Sequence, residues 1–418
     1  MTKADKEGQR KAPILRFKGF TDDWEQRKLK NLITEPLSYG LSVSSKEYDG
    51  IHKYLRITDI DEKSRKFNKD KLTSPDIKFN SSSKKYLLSN NDIVFARTGA
   101  STGKTYMYQK EDGIVYYAGF LIKASLSSNF DNNFIFQQTY RKRYYQRVKV
   151  ISQRSGQPGI NSKEYGNFDF LITQIEEQNK IGKLFKIFDN LLALYERKLK
   201  LLSWVKKYFL DNLFAEKEYP NLRFKGFTDA WEQRKIKDYA SYRRGSFPQP
   251  YGKKEWYDGK DSMPFVQVVD VKENLRLVDH TKQRISKLAQ PQSVFVPTGK
   301  VLVTVQGSIG RVAITQYPSY IDRTLIVFEK YDTRTDKYFW AYTLQRKFDI
   351  EKRKAPGGTI KTITKKALSE FIVTITNYEE QNRLGIFFLK IDKLLALYEN
   401  KQQHLTEIKK TLLNTMFI

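Results

Sequence analysis

Phe188-Asp-Asn-Leu-Leu-Ala-Leu-Tyr195-Glu returns near the C-terminus, almost unchanged, as Ile391-Asp-Lys-Leu-Leu-Ala-Leu-Tyr398-Glu. Around both copies, apolar residues recur at alternating spacings of three and four, which is the pattern of a coiled-coil helix. The residues expected to pair the helices are Phe188, Leu192, Tyr195, Leu199, Ile391, Leu395 and Tyr398. Two long helices are therefore predicted, and each needs an apolar partner.

A second repeated motif precedes each predicted helix by a long variable region. Leu15-Arg-Phe-Lys-Gly-Phe-Thr-Asp-Asp-Trp24-Glu-Gln-Arg-Lys28 reappears as Leu222-Arg-Phe-Lys-Gly-Phe-Thr-Asp-Ala-Trp231-Glu-Gln-Arg-Lys235. The two markers keep nearly the same separation in both halves, and this separation far exceeds the period of a solenoid repeat, about 20 to 50 residues. The chain is therefore a duplication at the scale of a domain.

Between the markers the two copies diverge strongly but keep the same landmarks. Residues 54–60 and 265–271 are rich in the β-branched residues that favour strands. Each copy then has a strand that runs into a glycine-rich turn, and later a predicted helix crowded with aromatic and basic residues, at 133–149 and 336–354. The predicted fold is α+β: two similar α/β domains, separated by two long antiparallel coiled-coil helices, with an internal pseudo-twofold repeat.

Acidic residues open both predicted helices, at Glu176-Glu-Gln-Asn and Glu379-Glu-Gln-Asn, where the helix macrodipole favours negative charge. At about 1.5 Å per residue, the first helix would form a rod of about 60 Å. Antiparallel pairing would satisfy both apolar faces and hold the two domains apart. The alternative is that each helix packs on its own domain. The predicted boundaries are 1–13 for a flexible N-terminus, 14–172 and 218–375 for the two domains, and 173–217 and 376–418 for the two long helices.

The charge balance points to a polyanionic partner. The chain has 418 residues, with 75 Lys and Arg against 47 Asp and Glu, and a formal net charge of +28. This excess repels itself unless negative charge is nearby, and nucleic acid is the favoured partner. A basic membrane-surface protein is the alternative, but the positive charge is spread through both halves and not along one amphipathic helix.

The cysteine count and the N-terminus favour a cytoplasmic location. The chain contains no cysteine, so neither disulfides nor a thiolate metal site is expected. Met1-Thr-Lys-Ala-Asp-Lys-Glu-Gly lacks the apolar core of a signal peptide. No uncharged apolar run approaches the length of a membrane span.

Motifs that carry enzymatic chemistry are not apparent. Gly99-Ala-Ser-Thr-Gly103-Lys-Thr105 resembles a phosphate-binding loop, but three residues stand between its glycines where that motif needs four. The chain has no Pro-Pro pair, so the tetrapeptide expected of an adenine N6-methyltransferase is missing. Its histidines, His52, His280 and His404, lack the spacing of metal ligands. No catalytic, cofactor-binding or metal-binding residue is predicted.

What remains is a pattern typical of DNA binding. Basic and aromatic residues alternate in the predicted helices of the variable regions, and such residues can contact phosphates while their rings pack or stack. Arg, Asn and Gln side chains are the ones that read base edges. The predicted DNA contacts are Arg97, Lys104, Arg154, Gln157, Arg243, Arg244 and Lys361.

From about residue 14 to 418, the chain resembles the specificity subunits of type I restriction-modification enzymes. The residues that carry the resemblance are both Phe-Thr-Asp-x-Trp-Glu-Gln-Arg-Lys openings, Leu55-Arg-Ile-Thr-Asp59, Arg97-Thr-Gly99 with Gly103-Lys104, Gly156-Gln-Pro-Gly-Ile-Asn161 and both Glu-Glu-Gln-Asn segments. The resemblance implies a non-catalytic subunit whose two target-recognition domains each read half of a split, asymmetric DNA site. It also implies that the helices set the gap between the half-sites.

The resemblance further implies partners and cofactors. The helices are expected to dock two methylation (M) subunits, and motor-nuclease (R) subunits complete the restriction complex. S-adenosylmethionine, ATP and magnesium are expected on those partner subunits and not on this chain. The second half departs from the family pattern at Gln267-Val-Val-Asp270 and at Pro356-Gly-Gly-Thr-Ile-Lys361. The rival functions are a stand-alone DNA-modifying enzyme, a non-specific basic coiled-coil protein that binds DNA, and an RNA-binding protein.

Overall fold

The computed structural model describes residues 12–153, 158–354 and 362–417. The chain divides into two compact units: the first comprises the chain through Glu196 together with the chain from Asn400 onward, and the second is Arg197–Glu399. Helices and strands are mixed in both units. The predicted α+β class is therefore confirmed, and so is the internal repeat.

The first unit is built mainly from short strands. These are β1 (Glu25–Lys28), β2 (Ser38–Tyr39), β3 (Ser45–Glu47), β4 (Lys53–Leu55), β5 (Thr73–Pro75), β6 (Asp92–Ala96), β7 (Thr105–Met107), β8 (Val115–Tyr117), β9 (Leu121–Ser125) and β10 (Asp169–Ile172). Its helices are α1 (Asn132–Gln138), α2 (Lys142–Ser152), α3 (Ser162–Gly166) and the first half of the long helix α4 (Ile175–Leu213). A four-stranded antiparallel sheet of order β2-β9-β6-β7 and the parallel pair β4-β8 form its centre.

The second unit repeats most of this order, with one helix, α6 (Lys337–Lys354), where the first unit has α1 and α2. Its strands are β11 (Glu232–Lys235), β12 (Ala240–Arg244), β13 (Met263–Val266), β14 (Gln283–Ile285), β15 (Val294–Val296), β16 (Val301–Thr304), β17 (Val312–Ile314), β18 (Ser319–Ile321), β19 (Leu325–Tyr331) and β20 (Ile372–Ile375). Its helices are α5 (Ile236–Tyr239), α6 (Lys337–Lys354), α7 (Lys365–Ser369) and the first half of the long helix α8 (Tyr378–Thr415). The sheet β12-β19-β16-β17 corresponds to β2-β9-β6-β7, and the parallel pair β13-β18 corresponds to β4-β8.

The helix predicted over 133–149 is wrong in one respect, because the structure divides it into α1 and α2. The Thr139 hydroxyl donates to the carbonyl oxygen of Phe136 at 2.7 Å, which closes the end of α1. Arg141 then takes an extended conformation, with φ −79° and ψ 150°, at the residue that precedes α2. A hydroxyl that bonds back to the main chain competes with helix continuation, and the propensity pattern does not reveal this.

The repeated openings are tied to the starts of the long helices by a buried ion pair. In the first unit, the fully buried Glu177 carboxylate accepts from Arg16 through Nε at 2.7 Å and from Trp24 Nε1 at 3.1 Å. The hydrogen bond to Glu177 raises the pKa of Arg16. In the second unit, Glu380 accepts from the equivalent Arg223 and Trp231. These two motifs recur together because they are the two halves of one structural contact.

Each long helix has a glycine in an early turn that gives room to a capping carboxylate. Asp131 caps α1 by accepting from the amide of Phe134 at 2.7 Å, and a side chain at Gly182 would collide with its carboxylate. Asp336 and Gly385 are related in the same way in the second unit. The glycines therefore offset their cost in a helix, about 1 kcal/mol relative to alanine, by allowing close packing.

The two long helices pair in antiparallel fashion within each unit. In the first unit, Lys409 Nζ of α8 lies 2.6 Å from the carboxylate of Asp189 in α4. In the second, Lys206 Nζ of α4 lies 2.6 Å from the carboxylate of Asp392 in α8. The early part of each helix thus meets the late part of the other. These equivalent bridges are mostly shielded from water, so they help to fix the register.

The residues predicted to pair the helices lie in the middle part of each helix. Ile391 is buried, whereas the other six are partly exposed: Phe188, Leu192, Tyr195, Leu199, Leu395 and Tyr398. The apolar positions nearest the helix starts belong instead to the domain cores. Phe185 packs with Trp24 and Phe134 in the first core, and Phe388 occupies the equivalent place in the second. Each helix therefore packs on its own domain at its start and meets the other helix further along.

Candidate nucleic-acid interface

Several chain segments of the first unit converge at one edge, where strands end. Strands β4 and β8 are parallel, so their carboxyl ends lie together. Arg56 follows β4, and a turn at 118–120 follows β8; the amide of Ala118 donates to the carbonyl oxygen of Leu55 at 3.0 Å. The antiparallel strand β6 ends at this same turn, because the amide of Arg97 donates to the carbonyl oxygen of Phe120 at 3.0 Å.

The side chains at this edge combine a cation with exposed aromatic rings. The Arg97 guanidinium lies 4.8 Å from the ring centre of Tyr39 at the end of β2, a distance typical of a cation–π contact. The Tyr39 hydroxyl accepts from the amide of Ser162 at 3.0 Å. Burial acts to raise the pKa of Tyr39. The hydrogen bond from Ser162 and the positive charge of Arg97 outweigh burial, and the pKa is lowered. Phe120 is 58% exposed beside them. We call Tyr39, Arg56, Arg97, Phe120 and Ser162 the first strand-end edge.

The second unit has the same backbone arrangement. Gln267 follows β13, and the turn at 322–324 follows the parallel strand β18. The amide of Val305, after β16, donates to the carbonyl oxygen of Thr324 at 2.9 Å. Arg244 lies at the end of β12, as Tyr39 lies at the end of β2. The corresponding segments of the second unit therefore meet at the corresponding edge.

Different side chains occupy the second edge. The Gln267 amide Nε2 donates to the Tyr251 hydroxyl at 2.9 Å. The guanidinium of Arg323 lies 5.6 Å from the centre of the Tyr251 ring, and Arg244 Nε donates to the carbonyl oxygen of Arg323. Burial raises the pKa of Tyr251. We call Arg244, Tyr251, Gln267 and Arg323 the second strand-end edge.

The turn that carries Arg56 and Gln267 explains a repeated motif. The Asp59 carboxylate accepts from the amide of Arg56 at 3.0 Å, and Asp270 accepts from the amide of Gln267 at 2.8 Å. Each bond caps the start of a single 3-10 turn. The strands predicted over 54–60 and 265–271 are therefore wrong in length: both end before this turn. The aspartate is common to both copies, so the change to Gln267 leaves the backbone intact.

Two of the predicted DNA contacts lie at these edges, and two others are paired with carboxylates. Arg97 and Arg244 belong to the first and second edges. Arg243 Nε lies 2.7 Å from the Glu329 carboxylate. Lys104 was expected to be exposed, but it forms an ion pair with Glu62 and its side chain is 18% exposed. The remaining predicted contacts lie outside the described residues: Arg154, Gln157 and Lys361.

Sequence reasoning missed most members of both edges. Tyr39, Phe120, Tyr251 and Arg323 each stand alone in a turn or at a strand end. Such positions carry no periodic signal, and β pairing between distant segments assembles them. One available signal was the exchange of Arg56 for Gln267 in two corresponding segments that share the aspartate three residues later.

Within residues 12–153, 158–354 and 362–417, no group of three or more His, Asp or Glu side chains could hold a metal ion. Among the helices of the same residues, none is both long and apolar enough to cross a membrane.

The two strand-end edges offer guanidinium, amide and phenol groups on a fixed backbone. Such groups bind by hydrogen bonding and charge. Each unit therefore presents one edge with groups suited to a polar or charged ligand.

Comparison with known proteins identifies the family. Residues 21–203 and 228–407 each match the type I restriction modification DNA specificity domain. A protein of Methanocaldococcus jannaschii assigned as the type I restriction enzyme MjaX specificity subunit is 22% identical over 413 residues, covering 94% of this chain and 93% of the relative. The chain therefore belongs to the type I restriction-modification specificity family and is a DNA-binding specificity subunit with two target-recognition domains.

Solved structures agree on the fold. The crystal structure of a type I restriction-modification S subunit from M. genitalium superposes with a TM-score of 0.66 at 15% identity, covering 97% of this chain and 99% of that chain. A chain from a structure concerned with complex assembly and conformational transition of the type I R-M system gives a TM-score of 0.51 at 15% identity, covering 94% of this chain and 97% of that chain. At these identities the likeness concerns the fold.

Proposed function

We propose that this subunit reads a split, asymmetric DNA site, with one half-site bound at each strand-end edge. The observation that carries the proposal is that the two edges share a backbone and differ in side chains. Tyr39, Arg97 and Phe120 in the first unit are replaced by Arg244, Val305 and Thr324 in the second. Identical edges would suit a palindrome, whereas different edges suit two unlike half-sites.

The charge of the chain supports DNA as the ligand. The net charge of +28 supplies the sequence-independent attraction to phosphates that dominates most protein–DNA affinity. Arginine at both edges offers donors for phosphate oxygens or base edges. The subunit itself performs no chemistry in this proposal. S-adenosylmethionine, ATP and magnesium are bound by partner subunits, which carry out methylation and cleavage.

The long helices support a docking role. In the repeated Leu-Leu-Ala-Leu segments, Leu191 and Leu194 of α4 are exposed, and so are Leu394 and Leu397 of α8. Exposed apolar groups repeated at equivalent places mark protein interaction surfaces. Two equivalent surfaces suit two methylation subunits, and motor-nuclease subunits then join to make the restriction complex.

The function is tested by sequencing N6-methyladenine in native DNA, molecule by molecule, in a host with this chain and its neighbouring genes. The same host without the chain is the comparison. Loss of one split, asymmetric methylated sequence on deletion is the expected result. An unchanged methylation map, in a host that expresses the chain and an active methylation partner, would contradict the proposal.

Docking is tested by placing a charge on each surface in turn. We expect Leu194→Asp and Leu397→Asp each to reduce the bound methylation subunits from two to one, because an unpaired carboxylate cannot be buried in an apolar contact. Native mass spectrometry of the purified complex gives the stoichiometry. Ser203→Asp, at an exposed position of α4, is the charge control. Retention of two methylation subunits by both leucine variants would exclude these surfaces.

The roles of the edge arginines are tested by Arg97→Ala and Arg244→Ala. If an arginine reads a base, its loss relaxes one position of the methylated sequence, at a cost of about 1–3 kcal/mol. If it contacts a phosphate, occupancy falls for all sequences together. Methylation profiling distinguishes these outcomes, with Arg27→Ala on β1 as the control. If neither variant altered occupancy or sequence preference, both residues would lie off the DNA.

A further inference from the structure

We propose that the residue directly after strands β4 and β13 reads one base pair in each half-site, Arg56 a guanine and Gln267 an adenine. The inference rests on the proposed function and adds the two side chains that make the half-sites differ. Neither residue is among the contacts predicted from sequence.

The two residues occupy one equivalent backbone position. Each follows the first strand of a parallel pair and opens a 3-10 turn capped by an aspartate, Asp59 or Asp270. Each therefore stands at the strand-end edge, beside the turn that follows the second strand of the pair. At such a position the side chain can differ between the two units while the backbone stays the same. The two units can then recognise different bases without a change of fold, as two different half-sites require.

The Arg56 side chain is held in place but keeps free donors. Its Nε and Nη2 donate to the Asp59 carboxylate at 2.9 and 3.0 Å, and the side chain is 35% exposed. Both Nη1 hydrogens and the second Nη2 hydrogen have no partner among the described residues. A guanidinium edge of this kind matches the two acceptors of guanine, O6 and N7, in the major groove. The Asp59 carboxylate holds the Arg56 guanidinium in one orientation before DNA binds. This orientation lowers the entropy cost of binding.

Gln267 is positioned by a different neighbour. Asp270 is buried, and its carboxylate accepts from the amides of Gln267 and Lys282 at 2.8 and 2.9 Å. The Gln267 side chain turns instead to the Tyr251 hydroxyl. One N–H of its amide has no partner within the described part of the chain, and the carbonyl oxygen, which faces the Asp270 amide in a capping box, keeps a second lone pair. This donor and acceptor match N7 and the N6 amino group of adenine.

Exchanging the two side chains tests the inference. We expect Arg56→Gln to change the preferred base at one position of one half-site, and Gln267→Arg to change one position of the other. Each exchange should alter discrimination at its position roughly 10- to 100-fold, the usual worth of a bidentate base contact. Methylated sequences are read by single-molecule sequencing of DNA treated with the variant chains assembled with their methylation subunits. Arg27→Gln on β1 and Gln233→Arg on β11, both at exposed positions, carry the same chemical changes away from the edges.

The outcomes separate this inference from the proposed function. Absence of any split methylated sequence with the unaltered chain would refute the function itself. A normal site with the unaltered chain and the same site with both exchanges would overturn the inference alone. A uniform loss of methylation would also overturn it, because that result marks a phosphate or folding role. Arg56→Lys guards against a folding effect: it keeps the charge but lacks the planar fork, and it should relax only the guanine position.

Discussion

Four residues inserted into each long helix, after Lys198 in α4 and after Glu399 in α8, should lengthen the preferred spacer between half-sites by about one or two base pairs. Each insertion adds about 6 Å, at about 1.5 Å per residue, and a base pair rises about 3.4 Å. Both half-sites should keep their sequences because neither strand-end edge is touched. Sequencing of methylated sites measures the spacer directly.

Both helices must be lengthened together because they are bridged on both sides of the insertion points. The bridge between Asp189 and Lys409 lies on one side, and the bridge between Lys206 and Asp392 lies on the other. An insertion in α4 alone would shift these bridges out of register and leave their mostly shielded charges unpaired. The single insertion is therefore expected to prevent assembly. An unchanged spacer in an assembled complex with both insertions would show that the helices do not set the gap between the half-sites.

Glu177→Ala and Glu380→Ala should each destabilise the chain by about 3–5 kcal/mol, the usual cost of removing one partner of a buried ion pair. In the first unit, the change leaves the Arg16 guanidinium, which is only 12% exposed, without its acceptor. It also removes the acceptor of the Trp24 indole N–H. Urea unfolding, followed by tryptophan fluorescence, measures the loss.

Glu176→Ala and Glu379→Ala are the matched controls. Both carboxylates are exposed at the neighbouring position of the same helix turns, so each change should cost well under about 1 kcal/mol. If the Glu177 and Glu176 variants were equally stable, the hydrogen bonds of Arg16 and Trp24 to Glu177 would not be what holds the repeated motif to α4. Loss of DNA specificity without loss of stability would assign the repeated motif a binding role instead.

The sequence predicted the long helices well because their signal is local and periodic. The first was expected within residues 173–217 and the structure places α4 at Ile175–Leu213, since a proline-free run with a coiled-coil apolar pattern leaves few alternatives. The duplication was equally visible, because two motifs recur with nearly the same separation. Antiparallel pairing followed from the need to cover two apolar faces, and the two Asp–Lys bridges confirm it.

The binding residues were much less predictable. Arg97 and Arg244 were selected for their charge and lie at the strand-end edges, but Lys104 was selected for the same reason and forms an ion pair with Glu62. Charge alone cannot show which cation has a partner, because that partner comes from a distant part of the chain. Arg154 and Gln157 lie outside the described residues, so these two assignments stay predictions.

The sequence by itself determined the duplication, the helix positions and the excess of positive charge, since each depends on residue type and spacing along the chain. The tertiary structure alone decided what the repeated motifs do and which side chains share an edge. It showed that Arg16 and Trp24 serve a buried carboxylate and are not available to DNA. It also placed Arg56 and Gln267 at one equivalent position. Such facts depend on pairing between segments far apart in sequence, which local patterns do not encode.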